Sequence, residues 1–206
     1  MTKPTFTEEQ FLWGKGINHV IGIDEVGRGA FAGSIVAAGV IFSPNINSDL
    51  LIGINDSKLL TPLRRKHYSE IIKQNSIYWA VEEIGIDYIN KYGIGKANSA
   101  VFRKVLRSLL KQINENYFVL IDGFHRKYLP GGLEKQKGIV RGDQISLSIA
   151  SASIIAKVHR DNLMKKVDKL YPAYGFSKNK GYGTSFHREA IRKFGSISIH
   201  REAFLD

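Results

Sequence analysis

Four acidic residues stand where predicted secondary-structure elements begin or end, and they are the side chains best suited to chemistry. Asp24 and Glu25 close a short apolar strand. Asp122 closes a later strand, and Asp143 precedes a long helix. In an open α/β sheet such ends gather at one edge, so these carboxylates are expected to converge. Oxygen ligands suit Mg²⁺, and two such ions about 4 Å apart assist phosphodiester cleavage, so the pattern indicates a metal-dependent phosphodiester site.

Each acidic residue also has a structural interpretation that the sequence leaves open. Asp143 fits the N-cap of the helix that follows it. Asp122, with a glycine after it, fits a turn. Arg28 can balance the charges of Asp24 and Glu25 without any metal. The metal interpretation therefore depends on the four carboxylates meeting in space, which is more informative than any one of them.

A glycine-flanked arginine follows the first strand. Gly27, Arg28 and Gly29 fit a tight turn between strands, and they equally fit a place where the backbone approaches a ligand closely. They do not form a dinucleotide-binding fingerprint, because the required glycine spacing is missing. Their position beside the acidic pair suggests that metal ions and a phosphate backbone meet here.

A second glycine-rich segment, residues 178–184, combines lysines with one aromatic ring. Tyr182 can stack on a sugar or base of a nucleic acid, or it can simply anchor the loop. Basic side chains bind phosphates, and the predicted phosphate contacts are Lys58, Lys157 and Lys180. Together, these lysines and the tyrosine predict that the ligand is a nucleic acid.

Composition agrees with a polyanionic partner. The chain has 206 residues, 30 Lys and Arg against 19 Asp and Glu, and a net charge of +11. Such a basic protein often binds nucleic acid, although a generally basic surface is the alternative. With no cysteine, disulfides, thiolate catalysis and Cys-ligated zinc are excluded. We expect a cytoplasmic protein that does not enter a membrane, because the longest apolar run, residues 35–42, is too short to span one.

The periodicity predicts strands and helices that alternate after an initial pair of strands, and hence a mixed α/β sheet. The first two strands, 19–26 and 34–42, are expected to be antiparallel. Further strands are predicted at 76–86, 117–121 and 139–140, with an exposed basic loop at 124–137. The predicted helices are 61–73 (Thr61 as N-cap and Pro62 in the first turn), 87–91, 96–114, 144–170 and 185–194.

Several of these segments together resemble ribonuclease HII, in an order and spacing that cover nearly the whole chain. The matching segments are 22–29, 56–59, 122–123, 142–143, 149–157, 160–161, 180–184 with His187, and 199–201. The resemblance implies an RNase H-like α/β fold, a mixed central sheet flanked by helices with a helical C-terminal portion. It implies one domain, 1–206, made of a core at 1–170 and a C-terminal part at 171–206. The basic loop 124–137 follows no pattern matched here.

The resemblance also implies an activity and roles for individual residues. It implies cleavage of RNA in RNA–DNA hybrids and 5′ to single ribonucleotides in duplex DNA, with two Mg²⁺ or Mn²⁺ ions, leaving 3′-hydroxyl and 5′-phosphate ends. The implied metal ligands are Asp24, Glu25, Asp122 and Asp143. Gly27, Arg28 and Gly29 would read the 2′-hydroxyl, and Tyr182 would stack on the sugar. A monomer acting on these nucleic acids is the expected state.

Two other classes of function stay open. One is a nucleic-acid-binding protein without catalysis, whose carboxylates are structural and whose binding is salt-sensitive. The other is a DNA nuclease or strand-transfer enzyme on the same fold, which would cut duplex DNA that lacks ribonucleotides. The full set of four carboxylates argues against the first, and the Gly-Arg-Gly segment with Tyr182 argues against the second.

Overall fold

A five-stranded mixed sheet forms the centre of the protein, seen here in a computed structural model that describes residues 3–113 and 116–205. Its strands are β1 (His19–Val26), β2 (Ile35–Ile41), β3 (Tyr78–Ile84), β4 (Tyr117–Asp122) and β5 (Gln136–Ile139). Their order is β3-β2-β1-β4-β5. The pairs β1–β2 and β2–β3 are antiparallel, whereas β1–β4 and β4–β5 are parallel. The mixed sheet and the antiparallel first pair were both predicted and are confirmed.

Helices cover both faces of this sheet. They are α1 (Thr7–Trp13), α2 (Pro62–Asn75), α3 (Ile86–Leu110), α4 (Leu147–Leu170), α5 (Phe176–Asn179) and α6 (Ser185–Phe194). Side chains of β2 such as Val36 and Val40 pack with α4 and α2 on one face. On the other face Ile21 and Ile23 of β1 pack against α3. The core is thus two apolar layers, one on each side of the sheet.

Helix α4 lies unusually close to β1 because small residues line its first turns. Ala and Ser dominate residues 148–156, all of them buried. Gly22 of β1 has no side chain, and a Cβ there would collide with the backbone of Ser148. This close approach brings the polar side chains of α4 to the strand that carries Asp24.

Two helix ends show which predictions held and which did not. The Thr61 side chain accepts a hydrogen bond from Arg64 N, with Pro62 in the first turn, so the predicted start of α2 is confirmed. Asp143 was considered as the cap of the long helix, and that interpretation is wrong. A short 3-10 turn occupies residues 142–144, and Ser146 caps α4 by accepting from Ile149 N.

The two helices predicted at 87–91 and 96–114 are confirmed as the two parts of α3, which non-helical backbone at Gly93 (φ +81°, ψ 158°) separates. The second part ends at Leu110, and the predicted end at Asn114 lies outside the described residues. Two further predictions need correction. The segment 124–137 was predicted to be an exposed basic loop, but its last two residues belong to β5 and Gln136 is buried. Lys178, predicted in a loop, lies in α5.

The C-terminal residues after α4 pack on the base of the β1–β2 turn. Tyr174, Phe176 and Ala190 form a buried cluster with Ala32 and with Met164 of α4. The predicted helix 185–194 is confirmed as α6. Across residues 3–113 and 116–205, no helix has the length and apolarity needed to cross a bilayer.

Candidate active site

The end of β1 sends its two acidic side chains to opposite faces of the sheet. Asp24 points towards α4 and is 5% exposed, and its Oδ1 accepts from Glu25 N at 2.7 Å. Glu25 points towards α3, where Asn98 donates to its Oε1 at 3.2 Å. Period-two alternation along a strand dictates this division. Two adjacent carboxylates therefore approach a shared ligand from two sides.

Asp122 ends the neighbouring parallel strand and so lies at the same edge of the sheet. Ile23 pairs with Ile121, which places Asp122 beside Asp24. The Oδ1 atom of Asp122 accepts from Gly142 N at 2.7 Å. That bond draws the 3-10 turn carrying Asp143 to the same place.

Asp143 is buried, with 5% of its surface exposed, and the Lys58 ammonium lies 3.8 Å from its Oδ2. Burial raises the pKa of Asp143, and the charge of Asp122 adds to that rise. Burial likewise raises the pKa of Asp24 well above its ordinary value, with Asp122 and then Glu25 contributing. Carboxylates raise one another's pKa only when they are close in space. The hydrogen bonds and the pKa shifts therefore both show that Asp24, Asp122 and Asp143 lie near one another.

Asp24, Glu25 and Asp122 line one open cleft of about 480 Å³. Its walls are Asp24, Glu25, Val26, Gly27, Arg28, Gly29, Ser57, Lys58, Asp122, Ser153, Lys157 and Tyr182. The structure thus brings together most of the residues singled out in the sequence. Asp143 is not among these lining residues, but the ammonium of Lys58, which does line the cleft, lies 3.8 Å from Asp143 Oδ2.

Lys180 is the predicted residue that the structure places elsewhere. Its ammonium donates to the Ser177 carbonyl, and it lines a separate cavity with Lys165 and Asp161. Lys157, by contrast, lines the cleft and its ammonium pairs with Asp161 at 2.7 Å. The two lysines therefore face different spaces.

Two buried arginines hold the loop that contains Gly27, Arg28 and Gly29. Arg201 donates to the Arg28 carbonyl at 3.0 Å and to the Gly33 carbonyl at 2.7 Å. Arg160 donates to the Ala32 carbonyl at 2.9 Å, and a Cβ on Gly27 (φ +93°) would collide with its guanidinium. Both arginines fall in matched sequence segments, but backbone carbonyls leave no pattern in a sequence, so their role was missed.

Arg160 also reaches the second glycine-rich segment, since it donates to the Lys180 carbonyl at 3.2 Å. Gly181 in turn accepts backbone hydrogen bonds from Phe31 N and Ala32 N, at 2.8 and 3.1 Å. Tyr182 follows this contact, and the Lys157 ammonium lies 5.9 Å from the centre of its ring. The two segments predicted to contact a ligand are therefore one connected wall.

The segment 56–59 is held against α4 and α2. Ser57 Oγ lies 3.0 Å from Ser153 Oγ, and the Arg65 guanidinium donates to the Ser57 carbonyl at 2.8 Å. Lys58 N donates to Asp56 Oδ1 at 2.9 Å. These bonds fix the backbone that carries the Lys58 side chain to the cleft.

The carboxylates at this edge fit a hard divalent ion by their chemistry. They supply only oxygen atoms, and the pKa values of Asp24 and Asp143 are raised first by burial and then by neighbouring carboxylates, so a bound cation would stabilise their charged forms. Among the described residues, no three His, Cys, Asp or Glu side chains are already arranged as a ligand set. Two of the carboxylates contact basic side chains instead. Lys58 lies beside Asp143, and the Arg126 guanidinium lies 3.7 Å from Glu25 Oε2.

Comparison with known proteins identifies the family. Residues 21–206 match the Ribonuclease HII family over nearly the whole chain. A ribonuclease HII from Clostridium acetobutylicum is 47% identical over 188 residues, which cover 90% of this chain and 72% of that relative. The chain belongs to the ribonuclease HII family. It is therefore a ribonuclease H, an endonuclease that hydrolyses phosphodiester bonds.

Solved structures of ribonucleases HII and HIII have the same fold. Ribonuclease H2 from Pyrococcus horikoshii OT3 has a TM-score of 0.74 at 22% identity, covering 90% of this chain and 93% of that one. Bst-RNase HIII in complex with Mn²⁺ has a TM-score of 0.66 at 23% identity, covering 87% and 63%. At these identities the likeness concerns the fold, and it confirms the RNase H-like architecture expected of a ribonuclease HII.

Proposed function

We propose that this ribonuclease HII cuts RNA within RNA–DNA hybrids, and cuts duplex DNA 5′ to a single embedded ribonucleotide. The observation that carries the proposal is one shared cleft. The carboxylates of β1 and β4 line it together with the Gly27–Gly29 loop and Tyr182. A site for phosphodiester chemistry thus adjoins groups suited to reading a ribose.

The metal part of the proposal assigns Mg²⁺ or Mn²⁺, as two ions, to Asp24, Glu25, Asp122 and Asp143. The solved Bst-RNase HIII complex with Mn²⁺ supports a divalent ion in this fold. When bound, two such ions would acidify a water and neutralise charge on the scissile phosphate, giving 3′-hydroxyl and 5′-phosphate ends. The protein's part is to hold the carboxylates at one edge of the sheet, as the parallel β1–β4 pair does.

Substrate choice is assigned to the wall made by the two glycine-rich segments. Gly27, Arg28 and Gly29 line the cleft, and we assign to them the contact with the 2′-hydroxyl, the group that separates RNA from DNA. A site built to bind a hydroxyl rejects its absence by on the order of 10⁴-fold. Tyr182 offers its ring to the sugar. Lys58 and Lys157 offer charge to phosphates, whereas Lys180 would act only on a more distant part of the strand.

A cytoplasmic monomer whose partners are these nucleic acids completes the proposal. The net charge of +11 supports a polyanionic substrate. The binding should weaken with salt, because each neutralised phosphate releases condensed counterions. The division into a core at 1–170 and a helical part at 171–206 stays a prediction.

The deciding experiment is cleavage of a labelled DNA duplex carrying one ribonucleotide, with Mg²⁺ or Mn²⁺, beside an all-DNA duplex. We expect one cut 5′ to the ribonucleotide, absent from the control duplex and abolished by EDTA. No cut with either metal, despite tight binding, would point to a non-catalytic binding protein. A cut in both duplexes would point to a DNA nuclease, and either result would overturn the proposal.

A further inference from the structure

In the basic loop that follows β4, the side chain of Arg126 lies beside Glu25 of the candidate site. The Arg126 side chain is 19% exposed, although its neighbours Phe124 and Lys127 are exposed. Its guanidinium lies over the Phe102 ring, 4.2 Å from the centroid, and 3.7 Å from Glu25 Oε2. A partly desolvated arginine stacked on an aromatic ring is held more firmly than a surface one. The site thus contains a fixed positive charge that the proposed function does not use.

The backbone of Arg126 is fixed on both sides by one buried side chain. Gln136 Oε1 accepts from Arg126 N at 2.7 Å, and Gln136 Nε2 donates to the Arg126 carbonyl at 3.0 Å. Gln136 opens β5, which pairs with β4. These bonds hold the Arg126 backbone in place, and the Phe102 ring holds its guanidinium beside Glu25.

The charge of Arg126 acts mainly on Glu25. Burial raises the pKa of Glu25, and among the groups that oppose this rise Arg126 is the strongest. The pairing is incomplete, because Arg126 Nε is buried and lacks a hydrogen-bond partner within the described part of the chain. At Asp143 the corresponding cation is Lys58, whose side chain is 78% exposed and so contributes little.

We infer that Arg126 supplies, in the metal-free protein, the positive charge that a divalent ion supplies at Glu25, and that its competition for this carboxylate lowers the metal affinity. Arg126 acts on the metal through Glu25, without being a ligand itself. The inference rests on the proposed function, because it takes Glu25 to be a metal ligand. It also gives a role to a loop that no family motif explains.

The test measures Mn²⁺ binding without nucleic acid, by titration calorimetry and by the electron paramagnetic resonance signal of free Mn²⁺. Arg126→Gln removes the charge and should bind Mn²⁺ up to about fivefold more tightly, the upper end of the change expected when a partly exposed ion pair is lost. Arg126→Lys keeps a charge but loses the planar stack, and should lie between this variant and the wild type. It also serves as the second variant if Arg126→Gln does not fold.

Lys127→Gln is the matched control, since it removes the same charge from the exposed neighbour of Arg126. It should leave the Mn²⁺ affinity within about twofold of the wild type, as expected for a solvated surface charge. An equal gain in Lys127→Gln would mean that general charge, and not the contact with Glu25, sets the affinity. No gain in Arg126→Gln, or weaker binding, would also overturn the inference.

A further variant separates this inference from the function on which it rests. Asp122→Asn should lose Mn²⁺ affinity if the carboxylates of β1 and β4 hold the metal. If Asp122→Asn binds Mn²⁺ as well as the wild type, the proposed metal site is wrong and the inference fails with it. If Asp122→Asn loses binding while Arg126→Gln gains none, only the role of Arg126 is wrong.

Discussion

The Nε2 atoms of His187 and His200 lie 3.1 Å apart, and both rings are buried. The Tyr182 carbonyl can only accept, so neutral His187 carries its proton on Nδ1 and its Nε2 needs a donor. His200 therefore carries its proton on Nε2, and its Nδ1 accepts from Ile197 N at 2.9 Å rather than donating to the Ile197 carbonyl at 3.2 Å. The His200 proton faces His187 Nε2, and His187 Nδ1–H donates to the Tyr182 carbonyl at 2.9 Å. One arrangement of protons satisfies all three contacts, and it ends on the residue assigned to the sugar.

This pair predicts a loss of stability in mild acid. Burial lowers the pKa of both His187 and His200 from the ordinary value of 6.5. As the pH falls below about 6.5, these two histidines take up protons in the unfolded chain before they do so in the folded protein. The stability that is present above pH 6.5 is therefore lost as the pH falls towards their lower pKa values in the folded protein. We expect the free energy of unfolding to fall between pH 7.5 and pH 5.5, measured by urea denaturation.

Single substitutions isolate the histidine contribution to that pH dependence. His200→Gln removes one titrating group of the pair, so its free energy of unfolding should fall less between the two pH values than that of the wild type. His67→Gln, at an exposed position, is the control and should keep the wild-type dependence. Equal dependence in all three proteins would show that the buried pair does not titrate in this range.

Asp122→Asn should nearly abolish cleavage while leaving substrate binding in place. The amide oxygen keeps an acceptor for Gly142 N, which now bonds Asp122 Oδ1 at 2.7 Å, so the local fold should survive. The lost charge removes a proposed metal ligand from the cleft. Cleavage and binding of the duplex with one ribonucleotide, measured separately, check this. Wild-type cleavage by this variant would mean that the metal site is assigned wrongly.

Arg201→Lys should weaken reading of the ribonucleotide more than it weakens metal binding. Lysine keeps a charge but cannot donate to both the Arg28 and Gly33 carbonyls as the guanidinium does. Loss of a charge-assisted hydrogen bond costs about 1.5–3 kcal/mol, so kcat/KM on the same duplex should drop by at least about tenfold. Mn²⁺ affinity should stay unchanged. Arg192→Lys, an exposed ion-paired position, is the control, and an equal drop there would contradict the assignment.

Gly22→Ala should destabilise the protein because α4 leaves no room beside β1. A Cβ at residue 22 would collide with the Ser148 backbone, which cannot move without displacing the helix. Overpacking of this kind costs about 1–3 kcal/mol. Gly85→Ala is the matched control, since a Cβ there meets nothing within 4 Å. Urea denaturation of both variants checks the contrast; equal stability would show that α4 yields to the added methyl group.

The sequence was a good guide to strands and to the acidic edge, because those features repeat at short range. Alternation and apolar runs located β1 and β2, and an N-cap followed by proline located the start of α2. The position of Asp24 and Asp122 at strand ends then predicted that they meet, and they lie on adjacent strands although they are far apart in the chain. These predictions depended on residue types that have a local signature.

What the sequence did not give depends on contacts between distant backbone atoms. The acidic residue before α4 looked like a cap, yet Gly142 N bonds Asp122 and the cap role falls to Ser146. The inward turn of Arg126 depends on the amide of Gln136, ten residues later in the chain. Hydrogen bonds to backbone groups do not depend on a pattern of residue types, so neither contact could be predicted from the sequence.

The bond from Arg201 to the Arg28 carbonyl joins residues 173 positions apart, and it has a consequence for the order of folding. The strands on either side of the Gly27–Gly29 loop are neighbours in sequence and can pair early, since closing a short loop costs little entropy. The loop itself gains its brace only when residue 201 docks. In a nascent chain that still lacks residue 201, β1 and β2 can therefore pair while the Gly27–Gly29 loop has no contact with Arg201. The loop assigned to the 2′-hydroxyl would reach its final conformation only after the sheet has formed.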